Sequence, residues 1–112
     1  MIITTIPQIP GYRVKRVIGV VTGMSIRTRG MLGRLFAGLE ALVGGRSETY
    51  ISELKKARME ALRDLEDTAR AMGANAVIGV DFETTEILEG FIMITATGTA
   101  VIAEPVEKAG DY

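Results

Sequence analysis

The sequence contains neither cysteine nor histidine among its 112 residues. Without cysteine the chain can form no disulfide, thiolate nucleophile or thiolate metal ligand. Without histidine it lacks the commonest general base and the imidazole ligand typical of zinc and copper sites. Ser-His-Asp and Cys-His catalytic arrangements are therefore excluded.

Aromatic residues and an excess charge of one sign are also lacking. Aromatics make up 5% of the chain and are not interleaved with basic residues, and the net charge is −1. Neither feature supports binding to nucleic acid. No apolar run approaches about 18 residues, so no membrane partner is expected. The N-terminal MIITTIPQIPGY lacks the marks of a secretion signal, which predicts a cytoplasmic protein.

Three stretches have the composition of β-strands, and a short fourth precedes them. Tyr12–Ile26 alternates, with mainly apolar residues at even positions and several basic residues at odd positions. Ala76–Ile87 and Phe91–Ala103 flank the sequence LEG, which is typical of a hairpin loop. Ile2–Thr5 is β-prone but is followed by the turn-forming PQIPG. Over its 112 residues the chain is long enough for one domain, residues 1–112.

The loop length sets the register of the predicted hairpin. A three-residue loop pairs Phe82 with Ala96, Val80 with Gly98, and Ile78 with Ala100. One face then carries only apolar or small residues, namely Ile78, Val80, Phe82, Ile92, Ile94, Ala96, Gly98 and Ala100. A two-residue loop would shift the pairing by one and mix threonine into that face, so we predict the three-residue loop.

Two stretches show the spacing of helices. Met31–Val43 is short and strongly apolar, and it must bury its stripe somewhere. Ser47–Met72 is the longest stretch with helical spacing. Its apolar residues recur at spacings of three and four, and charged residues fill the remaining faces. Gly73 follows it and suits a left-handed C-cap.

These elements predict an α+β fold, a two-layer β-α-β-β domain with an antiparallel sheet packed on one long helix. The second sheet face is not cleanly polar, since it carries Val77, Met93 and Val101 among threonines and acidic residues. Together with Met31–Val43 it leaves more apolar surface than one helix can cover. A homo-oligomer is the natural way to bury that surface.

Several motifs together resemble the YbjQ-like family. They are VGG, then TY and ARMEAL on a helix, then GANAVIGVDF and TGTAVI, and the resemblance runs from Ile3 to Ile102. Members of this family are described as putative heavy-metal-binding proteins of unknown function. The resemblance implies a dodecin-like subunit that assembles into a homopentameric ring. Relatives commonly have an acidic residue after the two glycines and tyrosine before GTAV, where this chain has Arg46 and Thr97.

The stretch VGGRS, just before the long helix, is a candidate anion site. Gly44, Gly45 and Ser47 could expose backbone N–H groups at the helix N-terminus, and Arg46 would add positive charge. The structural alternative is a connector in which Ser47 is the N-cap. The phosphate-loop pattern itself is absent.

Asp81 and Glu83 are candidate metal ligands. They lie two apart on one predicted strand, so their side chains leave the same face roughly 6–7 Å apart. Repeated around the axis of a ring, such a pair could bind a hard divalent cation through oxygen. The structural alternative is a solvated sheet face beside Thr95, Thr97 and Thr99.

Arg58 and Asn75 complete the candidate ligand-binding residues. Arg58 lies beside the apolar stripe of the long helix and could bind an anionic ligand bidentately, or simply pack its stem on that stripe. Asn75 follows the helix and is typical of a turn.

We predict a protein of unknown biochemical function that forms a homo-oligomeric ring. A metal ion or a small ligand is the candidate ligand at its subunit interfaces. No catalytic residue is predicted, and a divalent metal ion is the cofactor class left open. Two alternatives stay open. One is an enzyme acting on a small anionic substrate through interface carboxylates and Arg58, and the other is a scaffold that binds another protein through Met31–Val43.

Overall fold

The computed structural model describes residues 1–28, 47–88 and 91–107. Its elements in chain order are β1 (Ile2–Ile3), β2 (Tyr12–Thr28), α1 (Ser47–Ala71), β3 (Ala76–Leu88) and β4 (Phe91–Pro105). One helix packs against a four-stranded sheet, which confirms the predicted α+β arrangement. The predicted helix Met31–Val43 and the tip of the hairpin, residues 89–90, lie outside the described residues.

The sheet has the order β1-β3-β4-β2. The hairpin β3–β4 is antiparallel, and β2 pairs antiparallel with β4 along its whole length, from Tyr12 opposite Pro105 to Thr28 opposite Phe91. The short β1 joins the other side, parallel to β3. In the described part of the chain, β2 is therefore the strand at one edge of the sheet.

Small residues let α1 lie close to the sheet. Ala57, Ala61, Leu65 and Ala69 are fully covered and form the core with residues of all three long strands. At Gly23 of β2 the helix backbone packs directly on the strand, because a Cβ there would lie 2.7 Å from the Cα of Leu65. The packing thus depends on the absence of a side chain at this position.

The helix ends as its sequence predicts. Gly73 has a φ of 91°. Its N–H donates to the Arg70 carbonyl at 3.0 Å, and the Ala74 N–H donates to the Ala69 carbonyl at 3.0 Å. This pair of bonds is a Schellman C-cap, so the chain leaves the helix sharply and enters β3 at Ala76.

The predicted hairpin register holds in one half only. Phe82 lies opposite Ala96 as predicted, but Ile78 lies opposite Thr99 rather than Ala100. The register shifts between Ile78 and Asp81, where Gly79 has a φ of 63° that favours glycine. The shift exchanges the faces of two residues. Val77 enters the core under α1, and Ile78 packs on the opposite side against a small cluster that includes Ile9 and Val101.

The alternation of β2 runs against the usual rule of apolar inside and polar outside. From Val21 to Arg27 the odd positions face α1 and are buried, including Ser25 and Arg27. The apolar even positions Val20, Met24 and Ile26 are exposed on the other side. We call that side, opposite α1, the outer face of the sheet. Within residues 1–28, 47–88 and 91–107, no helix has the length and apolar character needed to cross a membrane.

Candidate functional site

The outer face brings the predicted metal ligands together. Asp81 lies opposite Thr97 and Glu83 opposite Thr95. Both line a shallow depression of about 350 Å³, whose walls are Val20, Gly79, Asp81, Glu83, Thr97, Gly98 and Thr99. Asp81 accepts a hydrogen bond from the Phe82 N–H at 2.9 Å through one carboxylate oxygen. The other carboxylate oxygen and both oxygens of Glu83 can face a ligand in the depression.

One chain does not complete a metal site among its described residues. Within that part of the chain, no three carboxylate-bearing side chains are close enough to hold an ion. Soft heavy metals prefer thiolate and imidazole ligands, and the sequence has no Cys and no His. The residues present therefore do not fit a heavy-metal centre within one chain. Two carboxylates on an open face fit part of the oxygen shell of a hard cation.

Arg58 lies on the opposite side of the sheet from these carboxylates. Its guanidinium carbon is 4.8 Å from the centre of the Phe82 ring, which is a cation–π contact. It also lines a groove of about 360 Å³ between α1 and the hairpin, together with Ile51, Leu54, Lys55, Thr84 and Ile94. Because Arg58 and Glu83 lie on different sides of the sheet, they do not converge on one pocket within a chain.

Asn75 is held by the backbone of β4. Its side-chain amide donates to the Ala103 carbonyl at 2.8 Å and accepts from the Ala103 N–H at 2.8 Å. Its own N–H donates to the Val101 carbonyl at 3.1 Å. The side chain thus imitates a strand neighbour and fixes the point where β3 begins.

The glycine-rich candidate lies mostly beyond the structure. Gly44, Gly45 and Arg46 are outside the described residues, and Ser47 is the first residue of α1. The anion site and the connector both stay predictions. The scaffold hypothesis stays one as well, since it depends on Met31–Val43.

Sequence reasoning missed a cluster of charged residues between β2 and α1. Arg27 is only 6% exposed. Its guanidinium donates to both carboxylate oxygens of Glu60, at 2.8 and 3.0 Å, and its Nε donates to Glu53 at 3.1 Å. Ser25 donates to Glu60 at 2.9 Å and accepts from Arg27 at 3.3 Å. Each buried polar group in this cluster has a partner, as such burial requires.

The hydrogen bonds of this cluster shift the pKa of both charged partners. The hydrogen bond from Arg27, followed by the one from Ser25, lowers the pKa of Glu60 to about 2. The hydrogen bond to Glu60 raises the pKa of Arg27. The arrangement can lock β2 to α1, because Arg27, its buried member, has both Glu60 and Glu53 as partners. The sequence holds one indication of this cluster. Glu53 and Glu60 lie seven residues apart and therefore on one face of the helix, where both can contact the same basic residue.

Comparison with known proteins places the chain in a family. The YbjQ family model, described as "putative heavy-metal-binding", matches residues 1–104. A UPF0145 protein of Picrophilus torridus is 41% identical over 109 residues, which cover 97% of this chain and 92% of that protein. A UPF0145 protein of Chromobacterium violaceum is 40% identical over 104 residues, with 93% of this chain and 89% of that protein covered.

A solved structure has the same fold. The crystal structure of a protein of unknown function from Pediococcus pentosaceus, of the DUF74 family, superposes with a TM-score of 0.59. The match covers 93% of this chain and 98% of that one at 19% sequence identity, so it bears on fold alone. The family model and the relatives confirm the resemblance seen in the motifs: the chain belongs to the YbjQ-like family, whose model is described as "putative heavy-metal-binding" and whose function is unknown.

Proposed function

We propose that this protein is the subunit of a homo-oligomeric ring, pentameric as the family resemblance implies. The observation that carries the proposal is the apolar stripe that β2 places on the outer face of the sheet. Val20 is 73% exposed there, and Met24 and Ile26 lie beside it on the same strand. Patches of this kind on a folded chain mark interaction surfaces.

The shape of the chain supports the same proposal. β2 and β4 contain 17 and 15 residues, whereas strands in globular proteins usually have about 5–6. The Cα radius of gyration is 18.3 Å, against roughly 13 Å for a compact domain of this length. Among the described residues, the cluster around Ile9 covers part of the outer face, and neighbouring copies would shield the exposed apolar residues of β2. Fully burying one Val, Ile or Met side chain contributes about 1.5–3 kcal/mol, so several per subunit can offset the cost of association.

A hard divalent cation or a small ligand is the proposed occupant of the depression at Asp81 and Glu83. One chain supplies two carboxylates, and a cation such as Ca²⁺ takes about 6–8 oxygen ligands. Copies arranged around an axis would repeat the pair and supply further oxygens. Threonine hydroxyls at Thr97 and Thr99 lie in the same depression and could complete a polar ligand site.

Native mass spectrometry combined with light scattering tests the assembly. With a chain of 12.1 kDa, five copies give a particle of about 60 kDa. We expect this mass at micromolar concentration and neutral pH. A monomer under those conditions would overturn the proposal, and a different closed ring would correct only the number taken from the resemblance.

Titration calorimetry with Ca²⁺, Mg²⁺, Mn²⁺ and Zn²⁺ tests the cation. We expect binding of the hard ions, and its loss in Asp81→Asn and Glu83→Gln, because an amide replaces a charged ligand. Glu86→Gln is the matched control, since Glu86 belongs to the same strand but points to the other side of the sheet. If no ion binds, or if the three variants behave alike, the site at Asp81 and Glu83 is wrong.

A further inference from the structure

We propose that the groove between α1 and the hairpin binds a small carboxylate that carries an apolar body, such as a medium-chain fatty acid. The groove is the one of about 360 Å³ that Arg58 lines on the helix side of the sheet. Ligand sites commonly have volumes of about 300–1,000 Å³, so the groove is large enough for a small molecule. It lies across the sheet from Asp81 and Glu83, so the inference goes beyond the proposed ring and its cation site and depends on neither.

The groove exists because α1 lies over only part of the sheet. The close approach at Gly23 holds the helix over β2, from where it also contacts β4 but barely reaches β3. Thr84 of β3 lies opposite Ile94, which is buried in the core under α1. Phe82, two residues before Thr84, shares that face of the sheet. Phe82 is nevertheless only half-buried and Thr84 is exposed, so the described residues leave a trough along this side of β3.

The lining of the groove is apolar where the body of a ligand would rest. Ile94 is only 2% exposed and forms the floor. Ile51 and Leu54 of α1 form one wall, and Thr84 of β3 lies on the other side. Ile51 is 49% exposed, and covering such apolar surface with a ligand favours binding. Small-molecule sites are usually lined in this way, with a few polar groups that fix the orientation of the ligand.

Among the described residues, two cations and no carboxylate line the groove. Lys55 and Arg58 lie three residues apart on α1, so they are neighbours on one flank of the helix. Glu53 and Glu60 point to the opposite flank, where both bind Arg27 of β2. These two carboxylates are therefore drawn away from the groove, and its rim is positively charged. Such a rim selects an anionic ligand.

Arg58 is held in place before any ligand arrives. Its guanidinium carbon lies 4.8 Å from the centre of the Phe82 ring. A cation–π contact uses no hydrogen-bond acceptor, so the N–H groups of the guanidinium keep their capacity to donate to a ligand. Arginine can hold a carboxylate through two parallel hydrogen bonds, whereas lysine binds it as a point charge. We therefore expect the carboxylate to bind Arg58, with Lys55 adding charge and the apolar body lying on the floor at Ile94.

Titration calorimetry of the full chain with three related ligands tests the inference. Octanoate has both the carboxylate and the apolar body, octanol keeps only the body, and acetate keeps only the carboxylate. At neutral pH we expect one octanoate per chain, bound about tenfold or more tightly than either of the others, because a charged hydrogen bond and apolar burial both contribute. Equal binding of octanol or of acetate would overturn the proposal. Octanoate that does not bind at all would show that a second copy or another part of the chain fills the groove, and would overturn it too.

Arg58→Gln locates the carboxylate. Losing a charged hydrogen-bond donor should weaken octanoate binding about tenfold or more and leave octanol binding unchanged. Arg63→Gln is the matched control, since Arg63 is an exposed arginine of the same helix that lines a different depression. It should bind octanoate as the wild type does. Equal weakening in the two variants would show attraction by general charge and would overturn the site at Arg58.

Thr84→Trp tests the apolar half of the groove without changing its charge. Aromatic side chains suit a strand, and the indole should occupy the space of the ligand. We expect octanoate binding to be lost while the circular dichroism spectrum and the mass from light scattering stay those of the wild type. Normal octanoate binding by this variant would place the ligand elsewhere and overturn the proposal. Light scattering keeps this test apart from that of the ring, and the three ligands decide on the wild type even if a variant fails to fold.

Discussion

At the residue scale, the least expected feature is a buried arginine on a strand. Arg27 is covered by α1, and its side chain is 7% exposed while that of Glu60 is 49% exposed. Removing both carboxylate partners of Arg27, Glu60 and Glu53, would leave an uncompensated buried charge, which is strongly destabilising. The cluster therefore fixes one orientation of the helix over β2. Its hydrogen bonds are directional, whereas a contact between two apolar side chains would allow several orientations.

Glu60 should make stability depend on pH in the acid range. Its pKa is lowered from 4.5 to about 2 in the folded chain. Its contribution to the free energy of unfolding is therefore present above pH 4.5 and is lost as the pH falls toward 2. Because the carboxylate is half exposed, water weakens the effect, and we expect about 1 kcal/mol. Urea unfolding of the wild type and Glu60→Gln at fixed protein concentration should show this gap at pH 6 and its closure near pH 2.

Glu66 offers a control for that measurement. It pairs with Arg70 on the exposed side of α1, and the hydrogen bond from Arg70 lowers its pKa. Solvent screens such a surface pair, so Glu66→Gln should change stability much less than Glu60→Gln does. A gap for Glu60→Gln that stays constant down to pH 2 would contradict the role given to Arg27.

At the scale of elements, the contact between α1 and β2 depends on one missing side chain. A methyl group at Gly23 would overlap the carbonyl of Ala61 and lie 2.7 Å from the Cα of Leu65, both of which are backbone atoms. The helix must move to admit it, so Gly23→Ala should lower the free energy of unfolding by about 3 kcal/mol. Thermal or urea unfolding measures this loss.

Gly11→Ala is the comparison for Gly23→Ala. Gly11 has a φ of 84°, and nothing lies within 4 Å of an added Cβ. Its cost comes from the backbone alone and should be about 1 kcal/mol. Equal losses at the two positions would show that the close approach of the helix is not what Gly23 provides.

Long periodic elements could be predicted from the sequence, whereas faces and pairings could not. The helix was expected over Ser47–Met72 and spans Ser47–Ala71 because its apolar spacing and C-cap agree. The face exchange at Gly79 was missed because a glycine within a strand indicates a bulge without fixing its register. The buried side of β2 could not be predicted from hydrophobicity. It carries an arginine with two carboxylate partners and a glycine on which the helix packs, and neither residue is strongly apolar.

The candidate site divides in the same way. Asp81 and Glu83 do share a face, because strand alternation alone determines that. Arg58 was grouped with them in the enzyme hypothesis, yet it lies across the sheet over Phe82. Such convergence depends on which side the helix covers, and that side was set by Gly23 and the Arg27 cluster. Which candidate residues share one site therefore depends on how the helix packs on the sheet. The spacing of residues along the sequence does not reveal that packing.

At the scale of the whole molecule, the outer face should govern assembly without governing the fold of one chain. Val20 is 73% exposed in a single chain, so Val20→Asp should change its intrinsic stability by no more than about 0.5 kcal/mol. In the ring the same carboxylate would be buried in the depression that Asp81 and Glu83 also line, and their like charges add to the cost of burial. We expect Val20→Asp to sediment as a monomer of 12.1 kDa with an unchanged circular dichroism spectrum.

Met59→Asp separates the outer face from the helix side of the molecule. Met59 is also exposed, at 49%, but it lies on α1 and not on the sheet. This variant should keep the mass of the wild-type assembly, because the outer face is intact. The opposite pattern, with Met59→Asp monomeric and Val20→Asp assembled, would move the interface to the helix. The stripe of valine, methionine and isoleucine that β2 places on the outer face would then need another partner, since it is costly to leave in water.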